Sequence, residues 1–391
     1  MLYWLMSTFY MSTIKQSILM KDTLEKSNRL TQSESISNTK NLISRPVKIW
    51  LFIGVLMVFV QVVIGGITRL TDSGLSITEW AVIQGTIPPL NEVEWIEAFD
   101  KYKVAAKKQY ETLHADMTLP EFKIIFFWEY IHRLWARSIG FVFIFPFFYF
   151  LFTKQLPEWL LRRLGIAVGL GALAAAFGWI MVASGLNDNT RTWVSAYKLS
   201  VHLIIATVLF AHLFWTWLLA RQPVSNDQQL GRYRKLGWLI TGVLLVQIVF
   251  GGLMAGMRAG LIHPYFPMFV KGSQLWAALS ATEVINNAVD YEPAQSVKAF
   301  VQLLHRGTAY LLSILIVMFS IRLLKEQISN RLRKANYYLL GMLAIQFLLG
   351  VLTIINCFGK VHIAYGSMHQ AGALLLLACL LFTTYQLKAN N

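Results

Sequence analysis

Glu129-Tyr130-Ile131-His132-Arg133 stands at the mouth of an apolar run, and His305-Arg306 repeats its end in a second run. Glu129 and His132 are three residues apart, so on a helix the carboxylate and the imidazole share one face. The stretch that follows, Phe141 to Phe152, is apolar enough to face lipid or core. Ionisable groups at such a place are expensive to bury and mark function by default. His202 and His369 take the same position in two further apolar runs. Four equivalent imidazoles at one depth of a membrane bundle suggest ligands to haem iron.

The elements that must carry them are membrane helices. The chain has 391 residues, is 56% hydrophobic and only 14% charged, against about 25% charged in soluble domains. Its mean hydropathy is +0.51. Eight candidate spans cover 47–67, 123–152, 162–185, 196–219, 235–257, 299–323, 335–357 and 362–386. Each is long enough to cross about 30 Å of hydrocarbon. The expected fold is therefore an all-α integral membrane protein embedded in the lipid bilayer. A net charge of +15 does not point to nucleic acid, because the basic residues lie in short loops and in the N-terminal tail. Lys154, Arg162 and Arg163 follow the second span, while Arg221, Arg232, Arg234 and Lys235 (against Asp227) follow the fourth. Arg322, Lys325, Arg331, Arg333 and Lys334 follow the sixth. The positive-inside rule puts these loops, and with them both termini, in the cytoplasm. Lys388 agrees. Residues 1–46 form a polar tail expected to be disordered; a mitochondrial presequence is disfavoured by Asp22, Glu25 and Glu34. Met11 and Met20 are alternative starts. The only two cysteines, Cys357 and Cys379, offer neither a disulfide framework nor a thiolate metal site.

On the outer side lie two long loops, 70–122 and 258–298. Val93 to Tyr110 in the first is amphipathic, with Trp95, Phe99 and Tyr102. It reads as a helix lying on the outer surface or covering the bundle mouth.

The chain also repeats itself. Val60-Gln61-Val62-Val63-Ile64-Gly65-Gly66 ends the first span and Val246-Gln247-Ile248-Val249-Phe250-Gly251-Gly252 ends the fifth. Gly74-Leu75 and Gly260-Leu261 recur at the same distance beyond. Two tandem four-helix bundles follow, 47–222 and 235–386, related as parallel repeats. His132 pairs with His202 and His305 with His369, one imidazole from each of two helices, which yields two porphyrin sites. The bland reading of a lone membrane histidine, an interhelical hydrogen bond, weakens when four fall in repeat-related positions. His212 has no counterpart and reads as packing, and His362 as a neighbour of His369; His114 and His263 read as solvated. Arg133, Arg306 and, one turn below the first, Arg137 suit haem propionates; the alternative is interfacial snorkelling. The halves differ at one place: Glu129 corresponds to Gln302. A carboxylate beside only one iron ligand makes the first half the candidate for bond-making chemistry, unless Glu129 merely pairs with an arginine.

Three long strings carry a family resemblance. They are Gly65-Gly66-Ile67-Thr68-Arg69-Leu70-Thr71-Asp72-Ser73-Gly74-Leu75-Ser76 with Thr78-Glu79-Trp80; His114 to Lys123 running on to Glu129 and Trp135; and Tyr197-Lys198-Leu199-Ser200-Val201-His202-Leu203. From about 47 to 386 the chain resembles the haem A synthase family, in the branch shared by proteobacteria and mitochondria. The resemblance implies oxidation of the C8 methyl group of haem O to a formyl group. Haem O would be held by His132 and His202 with Glu129 at the reacting edge, and a resident haem b by His305 and His369. It further implies a bacterial inner membrane location, haem O synthase and cytochrome oxidase assembly factors as partners, and a homo-oligomer. Two departures stand out. The first outer loop lacks the cysteine pair that some members carry, and Pro264-Tyr265 precede Phe266-Pro267 in the second. The rival readings are a dihaem, quinone-linked cytochrome b and a haem chaperone or transporter.

Overall fold

The computed structural model describes residues 43–78, 87–186, 192–221, 230–269, 275–282 and 294–387. The tail up to residue 42, Glu79, Trp80, Asp227 and Lys388 fall outside the described residues. All regular elements among the described residues are helical: α1 (Arg45–Leu70), α2 (Glu92–Ala105), α3 (Lys107–Leu113), α4 (Leu119–Phe152), α5 (Glu158–Leu186), α6 (Ala196–Arg221), α7 (Gly231–Gly256), α8 (Leu275–Ser280), α9 (Gln295–Leu324), α10 (Asn330–Ile355) and α11 (Ile363–Gln386). Eight of these, α1, α4 to α7 and α9 to α11, are long and apolar enough to span a membrane.

Several spans begin a turn or more before their apolar stretch, because capping groups carry the helix into polar sequence. α4 starts at Leu119, where the Glu121 carboxylate accepts from the backbone N–H and the hydroxyl of Thr118, both at 2.8 Å, the reciprocal half of a capping box. α10 starts at Asn330 because the Ser329 hydroxyl accepts from the Leu332 N–H at 3.3 Å. Hydropathy marks the part that crosses lipid and is blind to these caps.

In the first four spans α1 packs on α4 and α6, and α5 on α6; in the last four α7 packs on α9 and α11, and α10 on α11. Across the middle α6 meets α7, α11 meets α1, and α6 meets α11. Exchanging the first four spans with the last four maps this contact set onto itself. The one clear exception is α9 against α10, since α4 and α5 scarcely meet. Burial follows the same plan: 44% of the apolar stretch of α11 is buried but only 6% of that of α4 and of α5. Phe141, Phe145, Tyr149 and Phe152 of α4 are exposed accordingly, as lipid-facing side chains should be. Between helices in lipid, close approach rather than exclusion of water supplies the attraction. The second glycine of each Gly-Gly pair serves that approach. A methyl on Gly66 would lie 2.5 Å from the Gln370 amide oxygen of α11, and one on Gly252 would lie 3.0 Å from the Ser200 Cα of α6.

The first outer loop folds into α2 and α3, broken at Ala106. Phe99 and Tyr102 are buried, and with Trp95 they pack on Phe122, Ile125 and Phe126 at the outer end of α4 and on Leu75 and Val194. Val93 and Val104 stay exposed. The amphipathic stretch thus turns its aromatic face to the end of the bundle.

Candidate functional site

α9 and α11 bring His305 and His369 together, with ring centroids 6.4 Å apart and planes at 86°. Two metal–nitrogen bonds of about 2 Å and two half-rings of about 1 Å sum to roughly 6 Å, a separation at which the two imidazoles would hold one metal ion. In the other half, His132 of α4 and His202 of α6 rest on Gly65 and Gly178, as His305 and His369 rest on Gly251 and Gly350. Among the described residues no group of three or more His, Cys, Asp or Glu side chains could hold a metal ion. The donor set is two pairs of imidazoles.

Each ring has a polar partner at Nδ1. The Gln247 amide lies 3.1 Å from Nδ1 of His305 and the Gln346 amide 3.1 Å from Nδ1 of His369. The Gln61 amide lies beside both nitrogens of His132, 3.2 Å from Nδ1 and 3.3 Å from Nε2. His202 differs: its Nδ1 sits 3.0 Å from the backbone carbonyl of Ala174. A partner at one ring nitrogen fixes the tautomer and leaves the other for a metal. The spacing Gln-x-x-x-Gly at 61/65, 247/251 and 346/350 was the available signal for these glutamines. Matching the two halves residue by residue registers only the first two copies, because the turn of α5 that corresponds to the third, Ala174 to Gly178, carries no glutamine.

Glu129 is 3% exposed and saturated. One oxygen accepts from the Ser76 hydroxyl at 2.7 Å and the Ile77 N–H at 2.8 Å. The other accepts from Nε of Arg133 at 3.1 Å and Nη2 at 2.6 Å. Arg133 also donates to the Ile77 carbonyl at 2.7 Å. The carboxylate and the guanidinium, one turn apart on α4, together grip the first outer loop. Gln302 and Arg306 do the same in the second half. Gln302 donates to the His263 carbonyl at 2.9 Å, and Arg306 donates to the carbonyls of Tyr265, Pro267 and Met268 at 3.0, 3.0 and 3.2 Å. Two of the three arginines expected at propionates, Arg133 and Arg306, therefore hold loop backbone. Arg137 lies one turn further along α4, half-buried.

The remaining histidines have structural partners. His212 lies 2.8 Å from the Arg163 carbonyl, joining α6 to α5. His362 immediately precedes α11 and its ring lies against Tyr365, centroids 4.6 Å apart and planes tilted by 36°. His114 and His263, expected to be solvated, are half-buried instead. The Tyr102 hydroxyl reaches Nδ1 of His114 at 2.6 Å, because α2 folds back over the end of α4; His263 packs on Phe269 at 5.6 Å. Both cysteines are free. Where the halves meet on the outer side, Asp72 and Arg258 form an ion pair at 2.9 Å. Arg258 and Arg69 both lie over the Trp193 ring, at 4.0 and 4.8 Å. Sequence reading passed over all of these, since only the fold brings residues 72, 193 and 258 together.

With this geometry described, the chain's relatives can be set beside it. Residues 48–381 match a family described as cytochrome oxidase assembly protein. The chain is similar to the haem A synthase of Flavobacterium psychrophilum, 38% identical over 343 residues, 88% of this chain and 98% of the relative. It is similar to that of Nitrosomonas eutropha, 39% identical over 368 residues, 93% and 99% of the two chains. The corresponding protein of Caulobacter vibrioides is 37% identical over 345 residues, 86% and 94%.

Proposed function

Because this chain belongs to the cytochrome oxidase assembly protein family, whose similar curated members are haem A synthases, we propose that it is an integral membrane oxidoreductase that converts haem O to haem A. The methyl group at C8 of the substrate is oxidised to a formyl group. The observation that carries this reading is the His305–His369 pair at ligating separation, matched by His132 and His202 in repeat-related spans. The substrate iron lies between His132 and His202. His305 and His369 hold a haem b, which supplies one-electron transfer when bound. The spans form two tandem four-helix bundles, 47–222 for substrate and 235–386 for the resident haem.

Glu129 lies three residues before His132 and is the carboxylate closest in sequence to a substrate ligand. Four donors compensate its charge. To accept a proton from the reacting edge it must release one of them, so proton transfer is tied to a shift of Ser76-Ile77 or of Arg133. Arg133, Arg137 and Arg306 line the outer side of the sites; propionate contact by the first and third requires exchanging a loop carbonyl for a carboxylate. The protein sits in a bacterial inner membrane with both termini cytoplasmic, works beside haem O synthase and oxidase assembly factors, and self-associates.

The test is pigment extraction from cells that co-express this protein with a source of haem O. Formyl haem in the extract is expected. Two retained haem b groups without formyl haem would replace the proposal with an electron carrier, and passage of unmodified haem O would replace it with a transporter.

A further inference from the structure

All four site histidines rest on a glycine of a neighbouring span. A methyl placed on Gly350 would lie 2.9 Å from Cε1 of His369; on Gly65, 3.0 Å from His132; on Gly178, 3.1 Å from His202; on Gly251, 3.4 Å from His305. In a helix the side chain at i+4 sits over residue i, whose carbonyl it covers. A glycine at i+4 leaves that turn bare. Four residues before each of these glycines stand Gln61, Ala174, Gln247 and Gln346, the residues that meet the Nδ1 atoms. The backbone carbonyl of Ala174 is 3.0 Å from His202. The amide oxygens of Gln61, Gln247 and Gln346 are buried without a partner. Turning over the Gln247 amide, which meets Nδ1 of His305, would offer its oxygen to an Nδ1–H; the Gln61 and Gln346 amides also donate to the His132 and His369 carbonyls, at 3.3 and 3.0 Å.

We propose that Gly65, Gly178, Gly251 and Gly350 are positioning residues: each bares one helical turn, so that Nδ1–H of the opposing histidine is tied to it and Nε2 is left for the iron. This rests on the reading above, in which these histidines hold porphyrin. Alanine or anything larger at Gly350, Gly65 or Gly178 pushes the ring off its seat, whereas at Gly251, where a methyl makes ordinary contact, only a larger side chain does so. Glycines of the same spans that face open space, such as Gly341 of α10, have no such role.

The experiment uses the full-length purified protein and reads bound haem b by its optical spectrum, its low-spin electron paramagnetic resonance and its midpoint potential. Gly350→Ala should weaken haem retention about 10- to 100-fold, as loss of an outer-shell partner does, and should perturb the low-spin signal. Gly341→Ala on the same helix should match the wild type. Alanine is the better helix former, so a loss cannot come from the helix itself. Should Gly350→Ala fail to fold, Gly251→Val reads the same haem through its other ligand, since a single methyl at 3.4 Å makes only ordinary contact with His305. It should weaken haem retention and shift the potential. Wild-type spectrum, affinity and potential in Gly350→Ala, or in Gly251→Val where that variant stands in, would overturn this inference and leave the proposed function standing. A wild-type protein that binds no haem would overturn both.

Discussion

At the scale of single residues, the asymmetry between Glu129 and Gln302 is the sharpest feature. Both tie an outer loop to a membrane helix, one through Ser76 and Ile77, the other through the His263 carbonyl. Tethering alone therefore does not require an acid, and the charge at 129 is surplus to that task. Glu129→Gln, which keeps an acceptor for the loop but no charge, is expected to lower formyl haem production by about 10²-fold or more, the usual worth of a general base. It should leave the haem between His305 and His369 unchanged in the optical spectrum. Near wild-type production from this variant would reduce Glu129 to a tether. Cys357 offers a second check at this scale. Burial pushes its thiol up to about 11, so it should resist maleimide at about pH 8, where an exposed thiol is substantially ionised. Rapid labelling would contradict its buried placement.

Among the elements, α2 and α3 form a small aromatic lid with its own core at the outer end of α4. Its histidine is His114, the neighbour of Tyr102. Burial holds His114 below the ordinary histidine value; Asp72 opposes this and Arg258 reinforces it. Burial also drives the Tyr102 phenol up, so it stays a donor. The folded lid thus prefers neutral His114, while the opened lid takes up a proton at about 6.5. Stability from this group is present above that value and lost as pH falls through the lower, folded one. Amide exchange protection of α2 and α3, corrected for intrinsic rates, should decline from about pH 7 to about pH 5. His114→Gln should flatten that decline. A lid equally protected at both pH values would contradict the buried placement of the ring.

For the molecule as a whole, the two halves meet in pairs of equivalent residues. Asp72 and Arg258 each fall six residues past the second glycine of their repeat. Both adopt the left-handed conformation, at φ 61° and 52°, and they pair with each other at 2.9 Å. The pair is partly shielded, with side chains 30% and 19% exposed. Asp72→Asn removes the carboxylate that both Arg69 and Arg258 approach. It should cost about 1–3 kcal/mol of stability, the range for losing a hydrogen bond to a charged group, read as earlier thermal unfolding in detergent. Exchanging the charges with Asp72→Arg and Arg258→Asp together suits both backbones. It should recover only part of the loss, because Arg69 would then face a second guanidinium, whereas its own counterpart is Ala255. Full recovery would show that Arg69 takes no part in the junction.

Much of this was legible in the residues alone. Eight spans follow from apolar runs that only a helix can carry through lipid, since no other backbone satisfies its own hydrogen bonds there. The four histidines and the Glu129–Gln302 difference follow from the repeat, because duplicated sequence places equivalent residues at equivalent depth. Tertiary structure alone decided who touches whom. That Glu129 accepts from Ser76 and Ile77, that Gly178 seats His202 although its turn lacks a glutamine, and that Asp72 finds Arg258 are all contacts between residues far apart in the chain. Periodicity reports which face of a helix is apolar. It carries nothing about which neighbour that face will meet, because that is set by the packing of all eight spans at once.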